Sequence, residues 1–239
     1  MAAVRRATLA DQVTDEIVAL IRERGLRAGD ALPSSGELAE EFGVSMSVVR
    51  EAVAGLSGMG VLRRHQGREA VVAVPGSADL ERLLRYRIDN VAISDLDVQA
   101  YREIVETGSA RLAGQHATDA DIDALGRGLE RLRAARTEDE LHDADVNFHA
   151  LVAQATGNDL LVTTLGAIAP LLRRQRKRVW RGWVVGGGEL GPVIDAHAAI
   201  FEAIRERDPD GAAEAMRAHL SQPRSGLDVN VPEEDCDDS

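Results

Sequence analysis

Cysteine is almost absent from this sequence. Cys236 is the single one in 239 residues, so no internal disulfide can form, and a reducing, cytoplasmic setting is expected. No run of about 18 apolar residues occurs, which excludes a transmembrane helix and a membrane partner. Met1 to Ala10 carries Arg5 and Arg6 but lacks the apolar stretch of a signal peptide. Internal repeats are missing too. A basic excess is also lacking: the net charge is −12. Residues 1–75 hold 9 Arg against 10 acids, whereas residues 76–239 hold 19 Lys and Arg against 30 acids, six of them after Gly226. The acidity therefore lies mostly outside the N-terminal third. This leaves nucleic-acid binding open there without arguing for it, because a strong basic footprint is the usual sign.

What is present is a composition of a packed globular protein, 44% hydrophobic and 28% charged, long enough for two small domains. Leu9, Val13, Ile17, Leu20 and Ile21 fall at helical spacing and predict a helix over Leu9 to Glu23. Gly29 and Pro33 punctuate the connection. Ser34-x-x-Glu37 is a capping-box pattern for a short helix through Glu41, and Gly43 makes a tight turn. Ser45 then caps a third helix to about Ser57, ended by Gly58 and Gly60. Val61–Arg64 and Ala70–Val74 read as two short strands around Gly67. Three helices and a hairpin make a winged helix-turn-helix over residues 1–75. In its third helix Val49, Ala52, Val53 and Leu56 face inward, while Met46, Ser47 and Arg50 share the outer face, where a recognition helix meets base edges. Periodicity alone fits a solvated helical hairpin equally well.

Everything after Pro75 reads as helix, with starts at Asp95, Thr118-x-x-Asp121, Thr137-x-x-Glu140, Asn158, Gly191-Pro192 and Asp208-Pro209. The expected fold class is mainly α: the winged domain, a linking helix within 76–94, an all-α bundle over 95–225, and a disordered acidic tail over 226–239. Gly186 to Gly188 are expected to form a mobile loop. Asp145 and His149, four apart, project from one helical face, and His197 and His219 lie on the last two helices. One carboxylate and three imidazoles suit a divalent metal, though spacing alone does not separate this from ordinary surface or core histidines. His142 is expected to be exposed, and His65 and His116 to be structural. Arg173, Arg174, Arg176, Lys177, Arg178 and Arg181 are expected to form a solvated or subunit-facing helix, with Trp180 and Trp183 packing.

Leu32-Pro33-Ser34, Glu37-Leu38-Ala39, Phe42-Gly43-Val44-Ser45, Val49-Arg50-Glu51-Ala52, Leu56, Gly60 and Gln66-Gly67-Arg68 resemble the GntR family of regulators over residues 9–74. The resemblance implies DNA contacts from Ser34, Ser45, Met46, Ser47 and Arg50, with Arg63, Arg64 and Arg68 from the wing. The chain departs from the family at Gly36 and Met46, where arginine is usual, at Ala54 and Gly55, where basic residues are frequent, and at Glu69, where the wing usually has a second glycine. Farther on, Tyr101-Arg102-Glu103-Ile104-Val105-Glu106, Asp145-x-x-Phe148-His149, Gly157-Asn158, His197-x-x-Ile200 and Ala215-Met216-x-x-His219-Leu220 resemble the FCD effector domain of FadR-type members over about 95–222. That resemblance implies metal ligation by Asp145, His149, His197 and His219, and an effector carboxylate held by Arg102. It implies a small organic acid touching a divalent metal (zinc first; nickel, manganese or iron as alternatives), in a homodimeric repressor on an inverted-repeat operator of double-stranded DNA. An enzyme is the main rival: the same cage could activate water, but no general base stands at motif spacing. A DNA-binding module whose second half only dimerises is the other.

Overall fold

The computed structural model describes residues 8–64, 68–91, 93–174, 177 and 190–221. His65, Arg176, Arg178, Trp180, Arg181, Trp183, the Gly186–Gly188 loop and the acidic tail lie outside the described residues. The chain divides into two compact units, Met1–Leu80 and Glu81–Ser239.

In the first unit, α1 (Leu9–Glu23) starts at a capping box in which Thr8 Oγ1 accepts from the Asp11 amide while the Asp11 carboxylate accepts from the Thr8 amide. Val13, Ile17 and Leu20 are buried by it. Leu9, expected on the same stripe, is 51% exposed, because the capped first turn reaches past the core. In α2 (Ser35–Phe42) the expected capping box of Ser34 and Glu37 is formed, and Gly43 ends the helix at φ 65°, a left-handed conformation suited to glycine. The third helix, α3 (Met46–Gly58), buries Val49, Ala52, Val53 and Leu56. Ser45 sits at its N-cap position but makes no capping bond; its Oγ pairs with Ser47 Oγ at 2.8 Å instead. The wing strands β1 (Leu62–Arg63) and β2 (Val71–Val72) are antiparallel, with Leu62 opposite Val72. They are shorter than expected, although Ala73 N still donates to Val61 O (2.8 Å) and an Ala31–Val71 bridge adds a third segment.

The helix α4 (Ser77–Asn90) begins in this unit. Asp79, on its first turn, is buried and accepts from both terminal nitrogens of Arg63, at 3.1 and 2.9 Å, and from Gly76 N at 3.0 Å. The carboxylate fills a hollow over Gly60, whose φ is +78° and whose hypothetical Cβ would lie 2.4 Å from Asp79 Cγ. Gly60→Ala is thus strained twice, in backbone and in contact, and should cost about 2 kcal/mol or more by chemical denaturation. A loss under half a kcal/mol would mean that this hollow yields freely.

The second unit is all helix among its described residues: α5 (Asp95–His116), α6 (Asp119–Ala134), α7 (Glu138–Gln154), α8 (Asp159–Ala167), α9 (Leu190–Arg205) and α10 (Pro209–Ser221). Capping boxes at Ser94–Asp97, Thr118–Asp121 and Thr137–Glu140 start α5, α6 and α7, and Asn158 caps α8. Pro209 opens α10 without wasting an amide donor. The core gathers Leu125 and Leu132 of α6, Phe148 of α7, Ile200 and Ile204 of α9, and Met216 and Leu220 of α10. Close approach of α5 to α10 depends on Gly114, where a Cβ would meet Pro209 Cα at 2.9 Å. This layering holds α5, α7, α9 and α10 against one another, and their inner faces carry the polar residues that matter for function.

Candidate functional site

Two places in the chain carry chemistry, one in each unit. In the first, Ser45, Met46, Ser47 and Arg50 are all exposed at the start of α3. Arg50 lines a cleft together with Leu32, Pro33 and Leu38 and with Arg64, Arg68 and Glu69 of the wing. Three guanidinium groups around one cleft suit a phosphate backbone. Arg63 does not join them. It was expected among the DNA contacts; in the structure Asp79 holds its half-exposed guanidinium bidentately and raises its pKa. Ser34 likewise spends its hydroxyl on the Glu37 amide at 3.2 Å. Gly36 and Met46 are neighbours, a Cβ at Gly36 falling 4.0 Å from Met46 Sδ. The two missing arginines therefore leave one uncharged patch at the tip of the recognition helix.

In the second unit α7 presents Asp145 and His149, α9 presents His197, and α10 presents His219. One potential ligand atom from each lies within 4.8 Å of all the others. His197 Nε2 stands 3.0 Å from Asp145 Oδ1, and His149 Nε2 stands 3.7 Å from the same oxygen. His149 Nε2 and His219 Nε2 are 3.2 Å apart. Ligands held at roughly 2.0–2.1 Å around one ion are about 3–4 Å from each other, so the spacing fits a single metal. His197 is fully buried and His149 and His219 nearly so, with Asp145 at 16% exposure reaching toward the outside. Phe148 packs edge-on against the His197 ring at 5.1 Å.

The protonation chemistry fits as well. His219 is held neutral, its pKa well below the usual imidazole value, chiefly by burial and then by the neighbouring His197 and His149 rings. Its Nδ1 is buried with no hydrogen-bond partner among the described residues. His197 donates from Nδ1 to Val193 O at 2.7 Å, which orients the ring with Nε2 turned toward Asp145. Several converging lone pairs in a buried space are costly unless a cation satisfies them. The donor set, three imidazoles and one carboxylate, is one that could hold a divalent transition ion.

Arg102 is buried on α5, where its Nε donates to Glu106 Oε1 at 2.8 Å. Glu106 Oε2 in turn closely contacts His149 Nδ1. Sequence reasoning missed Glu106, although the Arg-x-x-x-Glu spacing was a visible sign of a paired face. His142, expected at the surface, is buried at 4% exposure, because the buried arc of α7 runs from Leu141 and His142 through Ala144 to Phe148 and His149. His116 is exposed at the end of α5. The basic run keeps its acidic pairing where it is described: Arg173 contacts Asp143, and Lys177 Nζ lies 3.3 Å from Asp139, both acids of α7.

The two places fall within two separate family matches. The family model for gntR-family bacterial regulatory proteins matches residues 9–72, and the FCD domain model matches residues 97–222. A protein of Escherichia coli (strain K12), provisionally named an L-lactate dehydrogenase operon regulatory protein, is 30% identical over 217 residues, 89% of this chain and 84% of its own. The HTH-type transcriptional repressor NanR of Enterobacter sp. (strain 638) is 28% identical over 220 residues, 90% of this chain and 84% of its own. The solved structure of a Streptococcus agalactiae GntR superposes with a TM-score of 0.70 at 26% identity, covering 88% of this chain and 96% of that one. With a winged helix-turn-helix matched at one end and an FCD domain at the other, the chain belongs to the GntR family of bacterial regulatory proteins and is a DNA-binding transcription regulator, not an enzyme.

Proposed function

We propose that this regulator is a repressor whose hold on its operator is set by a small organic acid bound at a divalent metal in the FCD domain. The carrying observation is the buried quartet of Asp145, His149, His197 and His219 with Arg102 close by, joined to His149 through Glu106. A metal there would supply a Lewis-acidic position for an effector oxygen. Arg102 would hold the effector's carboxylate bidentately, a geometry that guanidinium and carboxylate share. Zinc is the first choice for three imidazoles and a carboxylate, with nickel, manganese or iron as alternatives. Relatives that carry the name repressor support the sign.

The protein would act as a homodimer on an inverted repeat. One recognition helix reads only a few base pairs, so selectivity calls for two half-sites related by a two-fold axis. Metal and effector, by binding the helical domain, would change operator affinity about 5- to 150-fold, the usual range of such couplings. The test combines elemental analysis of protein purified without chelators with mapping of its genomic binding sites and a thermal-shift screen of small carboxylates. We expect about one divalent ion per protomer, a two-fold symmetric footprint, and an acid that raises the melting temperature only of metal-loaded protein. Arg102→Ala should keep the ion and lose that acid-dependent shift. A protein that stays monomeric on its bound DNA would sink the dimer, and an equal shift from the acid after chelation would sink the metal's part in sensing.

A further inference from the structure

Glu106 belongs to neither the ligand quartet nor the effector grip, yet it touches both. It sits four residues after Arg102 on α5, and both side chains are about 4% exposed. One carboxylate oxygen accepts from Arg102 Nε at 2.8 Å, and the other faces His149 Nδ1, the ring nitrogen opposite the one that points into the quartet. Resting on the metal reading above, we infer that Glu106 is a positioning residue shared by the two sites: the claim of Arg102 on one oxygen sets how strongly the other orients and polarises His149. A carboxylate on Nδ1 requires the proton there, which fixes the tautomer, turns the Nε2 lone pair inward and makes the imidazole a more basic ligand.

The three imidazoles differ in this respect. His197 Nδ1 lies 2.7 Å from a neutral backbone carbonyl, whereas His149 Nδ1 lies against the Glu106 carboxylate. His149 is the ligand among them that the structure ties to a charged residue already engaged by Arg102. A guanidinium on one oxygen draws off charge and weakens the other as an acceptor. When an anionic ligand takes up part of Arg102's charge, Glu106 is freer to serve His149, and metal affinity rises. By reciprocity the bound metal raises affinity for the anion. Effector and metal would thus be bound cooperatively through one buried carboxylate, without any direct contact between them being needed.

The test uses zinc alone and the full-length protein at pH 8, where proton competition for the imidazoles is small. Zinc affinity is measured by chelator competition for wild type, Glu106→Gln, Arg102→Met and the double variant. Glu106→Gln should weaken zinc by about 10- to 100-fold, the usual effect of losing a partner behind a ligand. Arg102→Met should tighten zinc about fivefold, a direction that mere structural damage would not produce. In the Glu106→Gln background that gain should vanish. An equal gain in both backgrounds would reduce the effect of Arg102 to direct charge repulsion and overturn the inference, as would wild-type zinc affinity in Glu106→Gln. Should Glu106→Gln fail to fold, the His149 Nδ1 proton in zinc-loaded wild type and Arg102→Met decides by NMR. It should move downfield when Arg102 is lost, and an unmoved signal overturns the shared role. Wild-type protein that binds no zinc or other divalent ion fails earlier and differently, by removing the metal reading itself.

Discussion

Replacing Arg50 by alanine is expected to reduce operator affinity by about 30-fold to 10⁴-fold while leaving the melting temperature in place. The range follows from the discrimination of a guanidinium on guanine, about 1–3 kcal/mol, counted once for each half-site of a dimer. Arg50 is exposed on α3, whereas Val49, Ala52 and Leu56 of the same helix are buried in the core. A surface change of this kind stays within about half a kcal/mol of stability. The uncharged patch made by Gly36 and Met46 offers no guanidinium to take over. The contrast is Ser34→Ala, which removes the α2 cap and should cost about 1 kcal/mol of stability with a smaller loss of DNA affinity. Electrophoretic or anisotropy titration at physiological salt, beside thermal melts, separates the two. Near-wild-type affinity in Arg50→Ala would show that the outer face of α3 is not the reading face.

His197→Ala is expected to abolish metal binding and, with it, the stabilisation that metal confers. At a free metal concentration of about a thousand times the dissociation constant, that stabilisation is about 4 kcal/mol. His197 is fully buried, so alanine also leaves a cavity. The informative quantity is therefore the difference between metal-loaded and chelated melting within each variant, from which the cavity cancels. Wild type should show a large difference and His197→Ala almost none. His219→Ala should behave alike, with a smaller cavity term because its ring is less deeply enclosed. Effector-free DNA binding should survive in both, since the winged domain has its own core around Ile17, Leu38 and Leu56. If chelation leaves the wild-type melting temperature unchanged, the quartet is not a metal centre under those conditions.

The helices were legible in the sequence wherever a cap and an apolar period coincided. Ser34–Glu37, Thr118–Asp121 and Thr137–Glu140 announced α2, α6 and α7, because a capping box is written in residues three apart. Thr8–Asp11 obeys the same rule and passed unnoticed. The strands were overdrawn, since a β-rich run does not say how many of its residues find a partner. In the helical unit, likeness to the FCD domain pointed to the quartet, while spacing joined only Asp145 to His149. Convergence of α7, α9 and α10 on one point is a tertiary fact. Burial of His142 and the bridge from Glu106 to His149 are of the same kind, because helical periodicity sorts apolar residues and is silent on a polar one turned inward. Arg63 shows the converse: its sequence neighbours point to the wing tip, and the partner it holds, Asp79, lies sixteen residues on.

That partner also bears on where the DNA-binding half can be cut. A fragment stopped at Pro75, where the helical pattern begins, would discard Asp79 and leave Gly60 over an empty hollow with the Arg63 guanidinium released. The freed cation would sit on the wing beside Arg64, so the truncated piece would gain sequence-blind attraction for DNA while losing stability. A fragment carried to Leu80 keeps the plug in place. Selectivity measured on the shorter piece would then understate that of the intact protein, and the five residues between the two endpoints would look like part of the reading surface although their effect passes through Arg63.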